Sequence, residues 1–171
     1  MGGGDRAAPA ALRETVMFNA VIDAPFGRIG IRTEGSVVRE LVYLPDSVRA
    51  VAPDNALARR AAKQIERYFE RASARFTLPL AEVGSAFQQR VWQAIREVPP
   101  GNVVTYGQLA KRIGSAPRAV GQACGANWFP LVIPCHRVVA ASGIGGFSNH
   151  DDEGYFLKIK RWLLAHEGIR Y

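Results

Sequence analysis

The hydrophobic period of this chain changes once, near Ala81, and that change limits the folds open to it. From residue 15 to residue 44, apolar and polar positions alternate and β-branched side chains are frequent, the pattern of half-buried strands. Residues 16–22 read as a first strand, Pro25-Phe26-Gly27 as a turn, 28–32 as a second strand, Glu34-Gly35 as a hairpin turn and 37–44 as a third strand. Asp54 stands where a helix cap is needed. Ala58, Ala61, Ala62, Ile65, Tyr68 and Phe69 then recur at helical spacing. Residues 76–80 form an extended connector. The expected fold is α+β. Residues 15–80 form a small antiparallel sheet with one helix, residues 81–171 a mostly helical domain, and residues 1–14 a disordered leader.

Beyond Ala81 the helices are short and well delimited. Ser85-Ala86-Phe87-Gln88 has the form of a capping box, Phe87, Val91, Ile95 and Val98 the spacing of a buried face, and Pro99-Pro100-Gly101 ends the element. A helix follows Thr105 with Leu109, Ala110 and Ile113 on its apolar side. After Gly114-Ser115-Ala116 a second helix opens at Pro117, with Ala119, Val120, Ala123 and Cys124 facing inward. Two short amphipathic helices joined by a glycine-containing turn make a helix-turn-helix pattern. The outer face of the second helix carries Arg118, Gly121, Gln122 and Gly125. Small residues there allow a nucleic-acid backbone to approach, and the helix start offers N–H groups to phosphate. Helix pairs of this kind are also common in helical cores that bind nothing.

The chemistry concentrates in Ile133-Pro134-Cys135-His136-Arg137-Val138. The apolar run Leu131-Val132-Ile133 reads as a buried segment, and the proline stiffens its end. A thiol reacts as its thiolate, and an imidazole nearby is a common activator. A buried structural cysteine is the competing reading. The last helix carries Phe156, Ile159, Trp162, Leu163 and Leu164 and ends at His166-Glu167-Gly168, where a glutamate is ordinarily solvated. Ser142-Gly143-Ile144-Gly145-Gly146-Phe147-Ser148 lacks the Gly-Lys-Ser/Thr ending of a phosphate loop and reads as a flexible wall beside a site.

Composition sets outer bounds. Two cysteines, Cys124 and Cys135, are too few for a disulfide framework and fit a reducing compartment, the cytoplasm or, in a eukaryote, the nucleus. The three histidines, all from His136 onward, form no four-ligand zinc spacing, so neither metal nor other cofactor is expected. No apolar run is long enough for a membrane span. The formal charge of +7 suits an anionic partner such as nucleic acid. It is spread along the chain: residues 1–14 are neutral, 15–80 carry +3 and 81–171 carry +4.

In order, Phe87-Gln88, Arg90-Val91-Trp92, Pro100-Gly101, Val103, Thr105-Tyr106-Gly107, Leu109-Ala110, Pro117-Arg118-Ala119-Val120-Gly121, Asn127, Ile133 to Val138, and Leu163-Leu164-Ala165-His166-Glu167-Gly168 resemble the O6-alkylguanine-DNA alkyltransferases, the methylated-DNA–protein-cysteine methyltransferases. The Ala24-Pro25-Phe26-Gly27 turn and Tyr68-Phe69 are similar too, so the resemblance runs from about residue 15 to residue 168.

The resemblance implies an RNase H-like first domain and a winged-helix-like helix-turn-helix in the second. It implies a suicide repair protein, acting as a monomer without cofactor on the minor groove of duplex DNA bearing O6-alkylguanine. The damaged base is flipped out and its alkyl group passes permanently to a cysteine. Cys135 matches the nucleophile, His136 and Glu167 its activating relay, and Asn127 the residue shaping the adjoining turn. Tyr106 matches the proton donor to the guanine ring, and Arg118 the side chain that enters the vacated stack. Thr105, Ser115, Gly121 and Gln122 match positions facing DNA; Val138, Phe147 and Ser148, with Tyr106, match the base pocket.

Residues 149–155, longer and more acidic than the family's usual short glycine stretch, depart from it; there a mobile lid and a plain solvated loop are both open readings. Two other functions compete: a DNA-binding regulator or lesion sensor without transfer chemistry, and a cysteine hydrolase using Cys135 and His136. The presence of Cys135 weighs against the sensor. Adjacent Cys and His make a poor direct dyad, which weighs against the hydrolase.

Overall fold

The alternating first third of the chain forms a three-stranded antiparallel meander. The structure is a computed structural model that describes residues 17–146 and 154–171; residues 1–16, the expected leader among them, lie outside it. β1 (Ala20–Ala24), β2 (Gly27–Glu34) and β3 (Val37–Leu44) lie in the order β1-β2-β3. The first strand begins later than the alternation suggests and runs on to Ala24, because its partners are Ala20 to Ile31 through Ala24 to Gly27. The second hairpin turns at Gly35-Ser36. Pro79 to Ala81 adds to the far edge: the Val38 N–H donates to the Pro79 carbonyl at 2.8 Å, and the Ala81 N–H to the Val38 carbonyl at 2.9 Å.

The helix α1 (Ala56–Glu70) packs Ala58, Ala61, Ala62, Ile65 and Tyr68 into this sheet's core; Phe69 is only half-buried. Its cap is Asn55, whose side chain accepts from the Ala58 N–H at 2.8 Å, and not Asp54. Asp54 instead accepts from the side chains of Asn19 and Asn55. Either residue type can cap. The backbone places Asn55 at the position whose side chain meets the free N–H. This first compact unit ends at residue 82, and a second begins at residue 83.

The second unit is mostly helical. α2 (Ala86–Arg96) starts on the Ser85–Gln88 capping box, with both reciprocal bonds formed. Its buried residues are Val91, Trp92, Ala94 and Ile95, whereas Phe87 is half-buried. The face is therefore turned toward Trp92, whose indole N–H donates to the Ala123 carbonyl at 2.9 Å. α3 (Tyr106–Ile113) is capped by a second box, Thr105–Gln108, and ends at Gly114, whose φ of 72° is the left-handed conformation glycine adopts freely. α4 (Pro117–Gly125) follows with proline in its first turn.

A short parallel pair, β4 (Val104–Thr105) with β5 (Val138–Val139), links the start of α3 to a single 3₁₀ turn, Cys135–Arg137. α5 (Tyr155–His166) closes the unit. Tyr155 is thus a helical residue and not part of the preceding loop. The buried residues of α5 are Leu157, Ile159, Lys160, Leu163 and Leu164, with Phe156 and Trp162 half-buried.

Trp92→Phe removes the bond that ties α2 to the end of α4 and shrinks a buried ring. It should cost about 1–3 kcal/mol of stability, read as a lower urea midpoint with an unchanged slope.

Candidate active site

Cys135 sits where a strained loop ends. Asn127 follows α4, and its side chain organises the next eight residues. Its carbonyl oxygen accepts from the Phe129 N–H at 2.8 Å, and its amide donates to the Ile133 carbonyl at 2.9 Å and to the Cys135 sulfur at 3.1 Å. Within this loop Leu131 has a φ of 75°, an unfavourable conformation for a branched side chain. It is held there by burial of Leu131, Val132 and Ile133 and by the Ile133 N–H donating to the Phe129 carbonyl at 2.8 Å. Pro134 then turns the chain, and the Cys135 N–H reaches back to the Ile133 carbonyl at 2.8 Å. Cys135 is 5% exposed.

His136 and Arg137 point away from the loop onto Glu167. The His136 Nε2 lies 2.7 Å from Glu167 Oε2. Arg137 grips the same carboxylate with two bonds, Nε to Oε1 at 2.9 Å and an Nη to Oε2 at 3.0 Å, and donates a third to the Val98 carbonyl at 2.8 Å. The Gly101 N–H adds a fourth donor to Glu167, at 3.3 Å. Glu167 is therefore a buried carboxylate that caps α5 and not the solvated helix end expected from its neighbours. Burial pushes the His136 pKa below its usual value, against the opposing pull of Glu167; Arg137 and Lys160 push the same way as burial. The imidazole is consequently neutral near pH 7. A neutral ring beside a carboxylate carries its proton on Nε2, which leaves Nδ1 as the acceptor. Nδ1 has no hydrogen-bond partner among the described residues.

Tyr106 enters from the other side. It is the first residue of α3, and the pairing of β4 with β5 brings it beside the segment that follows the 3₁₀ turn. Its hydroxyl donates to the Gly146 carbonyl at 3.2 Å. Burial, reinforced by the two cysteines, raises its pKa, so it keeps its proton throughout the neutral range. The glycine-rich wall packs against it. A Cβ on Gly145, whose φ is 74°, would lie 2.9 Å from the Ala140 nitrogen and 3.2 Å from the Tyr106 ring, so only glycine fits there.

Lys160 is the residue that sequence reasoning missed. It is fully buried and donates to the Val138 carbonyl at 2.7 Å and the Gly146 carbonyl at 2.6 Å, with its nitrogen 5.7 Å from the centre of the Tyr106 ring. Burial lowers its pKa to about 8, opposed by Cys124 and Cys135. The signal was present: Lys160 lies at helical spacing among Ile159, Leu163 and Leu164, a position a solvated lysine does not take. Arg137 has no local signal of its own in the sequence, and its pairing with Glu167 depends on two segments 30 residues apart.

Arg118, Thr105, Ser115, Gly121 and Gln122 stand apart from the thiol cluster. Arg118 and Gln122 are exposed, and a Cβ on Gly121 would meet nothing within 4 Å. The helix cap at Ala116 provides no side-chain hydrogen bond to the first N–H groups of α4. Thr105 is occupied as the cap of α3, and the Ser115 N–H closes the turn onto the Ala110 carbonyl at 2.8 Å. Phe147, Ser148 and the acidic residues 149–153 lie outside the described residues. Among the described residues no group of three His, Cys, Asp or Glu could hold a metal ion, and no helix is long and apolar enough to cross a membrane.

The family model of the 6-O-methylguanine DNA methyltransferase DNA-binding domain matches residues 86–169. A methylated-DNA–protein-cysteine methyltransferase of Methanosarcina acetivorans is 34% identical over 160 residues, covering 89% of this chain and 99% of that protein. One from Mycobacterium leprae is 37% identical over 129 residues, covering 71% and 78%. Among solved structures, the Mycobacterium tuberculosis O6-methylguanine methyltransferase aligns with a TM-score of 0.71 at 36% identity, covering 86% of this chain and 90% of that one. The corresponding protein of that organism in complex with DNA aligns with a TM-score of 0.70, also at 36% identity, covering 86% and 91%. The α+β fold, with its small antiparallel sheet and helices, is the one these structures share. This chain belongs to the methylated-DNA–protein-cysteine methyltransferase family.

Arg137→Met leaves the Glu167 carboxylate buried against a neutral imidazole. It should destabilise the protein by about 3–5 kcal/mol, and Arg137→Met combined with Glu167→Gln should recover most of that loss, both read by urea unfolding.

Proposed function

We propose that this protein repairs duplex DNA by moving the alkyl group of O6-alkylguanine, a methyl in the simplest case, irreversibly onto Cys135. Each molecule then acts once. The observation that carries this reading is the arrangement around the thiol: Asn127 holds its sulfur, a neutral His136 backed by Glu167 supplies a base, and Tyr106 supplies a protonated hydroxyl. The naming of its relatives as methylated-DNA–protein-cysteine methyltransferases supports the same activity.

His136 Nδ1 takes the thiol proton through one bridging water, since residues adjacent in sequence rarely point the same way, and Nε2–H stays on Glu167. The thiolate attacks the alkyl carbon in line with its bond to O6. The S–C bond forms as the C–O bond breaks, and the electron pair leaves on guanine, whose ring takes a proton from Tyr106. Lys160 places a cation where thiolate and leaving base both carry negative charge, and it orients the Val138 and Gly146 carbonyls as part of the base pocket. Phe147 and Ser148 complete that pocket in this reading.

The base reaches the thiol only out of the stack, at an unpairing cost of roughly a few kcal/mol. Arg118, inserted from the start of α4 through the minor groove, offsets part of that cost. Thr105, Ser115, Gly121 and Gln122 complete the DNA-facing surface. The open face at Gly121 and the uncapped start of α4 support this docking, as does the DNA-bound structure of the tuberculosis relative. The same reading makes the first unit RNase H-like and the helix-turn-helix winged-helix-like. It places the protein, acting as a monomer, in the cytoplasm or a eukaryotic nucleus. A sensor without transfer chemistry has no use for the network on Cys135. A hydrolase would turn over many times.

Incubation with duplex DNA carrying O6-methylguanine should leave the protein heavier by one CH2, with the added group mapped to the peptide containing Cys135. Cys135→Ala should show no gain, and transfer that survives this change would overturn the assignment. Arg118→Ala should slow repair of duplex DNA far more than reaction with the free alkylated base, whereas Tyr106→Phe should slow both; equal losses on both substrates for Arg118→Ala would remove Arg118 from base extrusion.

A further inference from the structure

The outer face of α1 takes no part in the chemistry around Cys135, yet it gathers charge of one sign. Arg59, Lys63 and Arg67 recur every four residues and so stand in one row along the helix. All three are exposed. Among the described residues none of them makes an ion pair; the carboxylates that do belong to Asp23, Glu34, Glu40 and Glu167. Glu66 and Glu70 share the helix without closing a pair onto the row. Like charges four residues apart destabilise a helix, so α1 carries this row against its own stability.

The row also borders a shaped surface. Arg60 and Gln64 reach from the helix to Thr77 in the connector. The Arg60 guanidinium donates to the Thr77 carbonyl and, at 3.2 Å, to its hydroxyl. The Gln64 amide donates to the same hydroxyl at 2.8 Å, and the Thr77 N–H donates back to the Gln64 side-chain carbonyl at 2.9 Å. These two side chains are thereby fixed as a wall. With Ala56 and the row of three cations they line an open concavity of about 400 Å³. The match to the family's DNA-binding domain begins at residue 86, so this face lies outside it.

We infer that this face of α1 is a second DNA contact, in which Arg59, Lys63 and Arg67 bind the phosphates of a duplex without regard to sequence or lesion. From Arg59 to Arg67 the helix advances about 12 Å. One strand of a duplex presents a phosphate every 3.4 Å or so of its axis, roughly three over that length. Long arms ending in guanidinium and ammonium groups follow a phosphate track and read no base. The contact releases condensed counterions, so it is strong at low salt and weak at high salt. It keeps the protein on undamaged DNA, where it slides and hops in search of a lesion.

The inference rests on duplex DNA being the substrate of the proposed repair. The test is binding of the full chain to a fluorescent, undamaged duplex, followed by anisotropy over a series of salt concentrations. Arg59→Gln, Lys63→Gln and Arg67→Gln combined should weaken binding at least about tenfold at low salt and flatten the slope of log K against log salt by about 2–3. Transfer from the free alkylated base should be unchanged, and the urea midpoint unchanged or higher, because the repulsion along α1 is relieved. A control loses the same charge at the exposed positions Arg49→Gln, Arg75→Gln and Arg170→Gln and should keep the parent's slope. A control that loses as much as the α1 variant overturns the inference, as does an α1 variant that binds like the parent. So does a parent that sediments as a dimer without DNA while the α1 variant is a monomer, which makes the face a contact between copies. If the parent binds no duplex, the proposed repair function falls together with this surface; if the parent binds and the α1 variant equals it, only the role of α1 falls.

Discussion

The Glu167 carboxylate is the point on which the second unit turns. It accepts from the imidazole of His136, twice from the guanidinium of Arg137, and from the backbone of Gly101. Those donors come from two separate segments, the 3₁₀ turn before β5 and the loop after α2, and meet their acceptor at the end of a third, α5. A buried carboxylate in this position is costly unless its charge and lone pairs are met. Meeting them fixes the three segments relative to one another, and with them the imidazole of His136.

The same network sets the protonation logic. Glu167 spends its charge on Arg137, so burial wins over the carboxylate's pull on His136 and the ring stays neutral. A charged ring would donate at both nitrogens and could accept nothing. On the opposite side, Tyr106 is kept protonated by burial, and Lys160 is held as a buried donor between two carbonyls. The imidazole of His136 and the hydroxyl of Tyr106 thus differ in state because their surroundings differ, the pattern that acid-base work at one pH needs.

The strained loop that presents Cys135 is stabilised by the same economy of partners. Asn127 satisfies three groups at once, and the left-handed Leu131 persists because its neighbours are buried and bonded around it. The loop is held from the end of α4, where Asn127 also closes the helix.

Local signals settled much of this in the sequence itself. Alternation over residues 20–44, the two capping boxes at Ser85 and Thr105, Gly114 and Pro117 depend only on period and backbone preference, and each marks its element in the structure. The Pro-Cys-His-Arg block, in the company of Tyr106 and Arg118, was specific enough to mark the family. Where two residues competed for one local job, the outcome needed coordinates: Asn55 caps α1 although Asp54 was equally suited. The turn of α2 toward Trp92 likewise depends on the Ala123 carbonyl, 31 residues away. Only the tertiary structure decided that Glu167 is buried, that Arg137 neutralises it, and that Lys160 lies inside. Each is a buried polar group, and its partner lies on a separate segment. Whether such a group is solvated or functional is determined by what the fold brings within hydrogen-bond reach, about 3 Å, a distance that no spacing along the chain encodes.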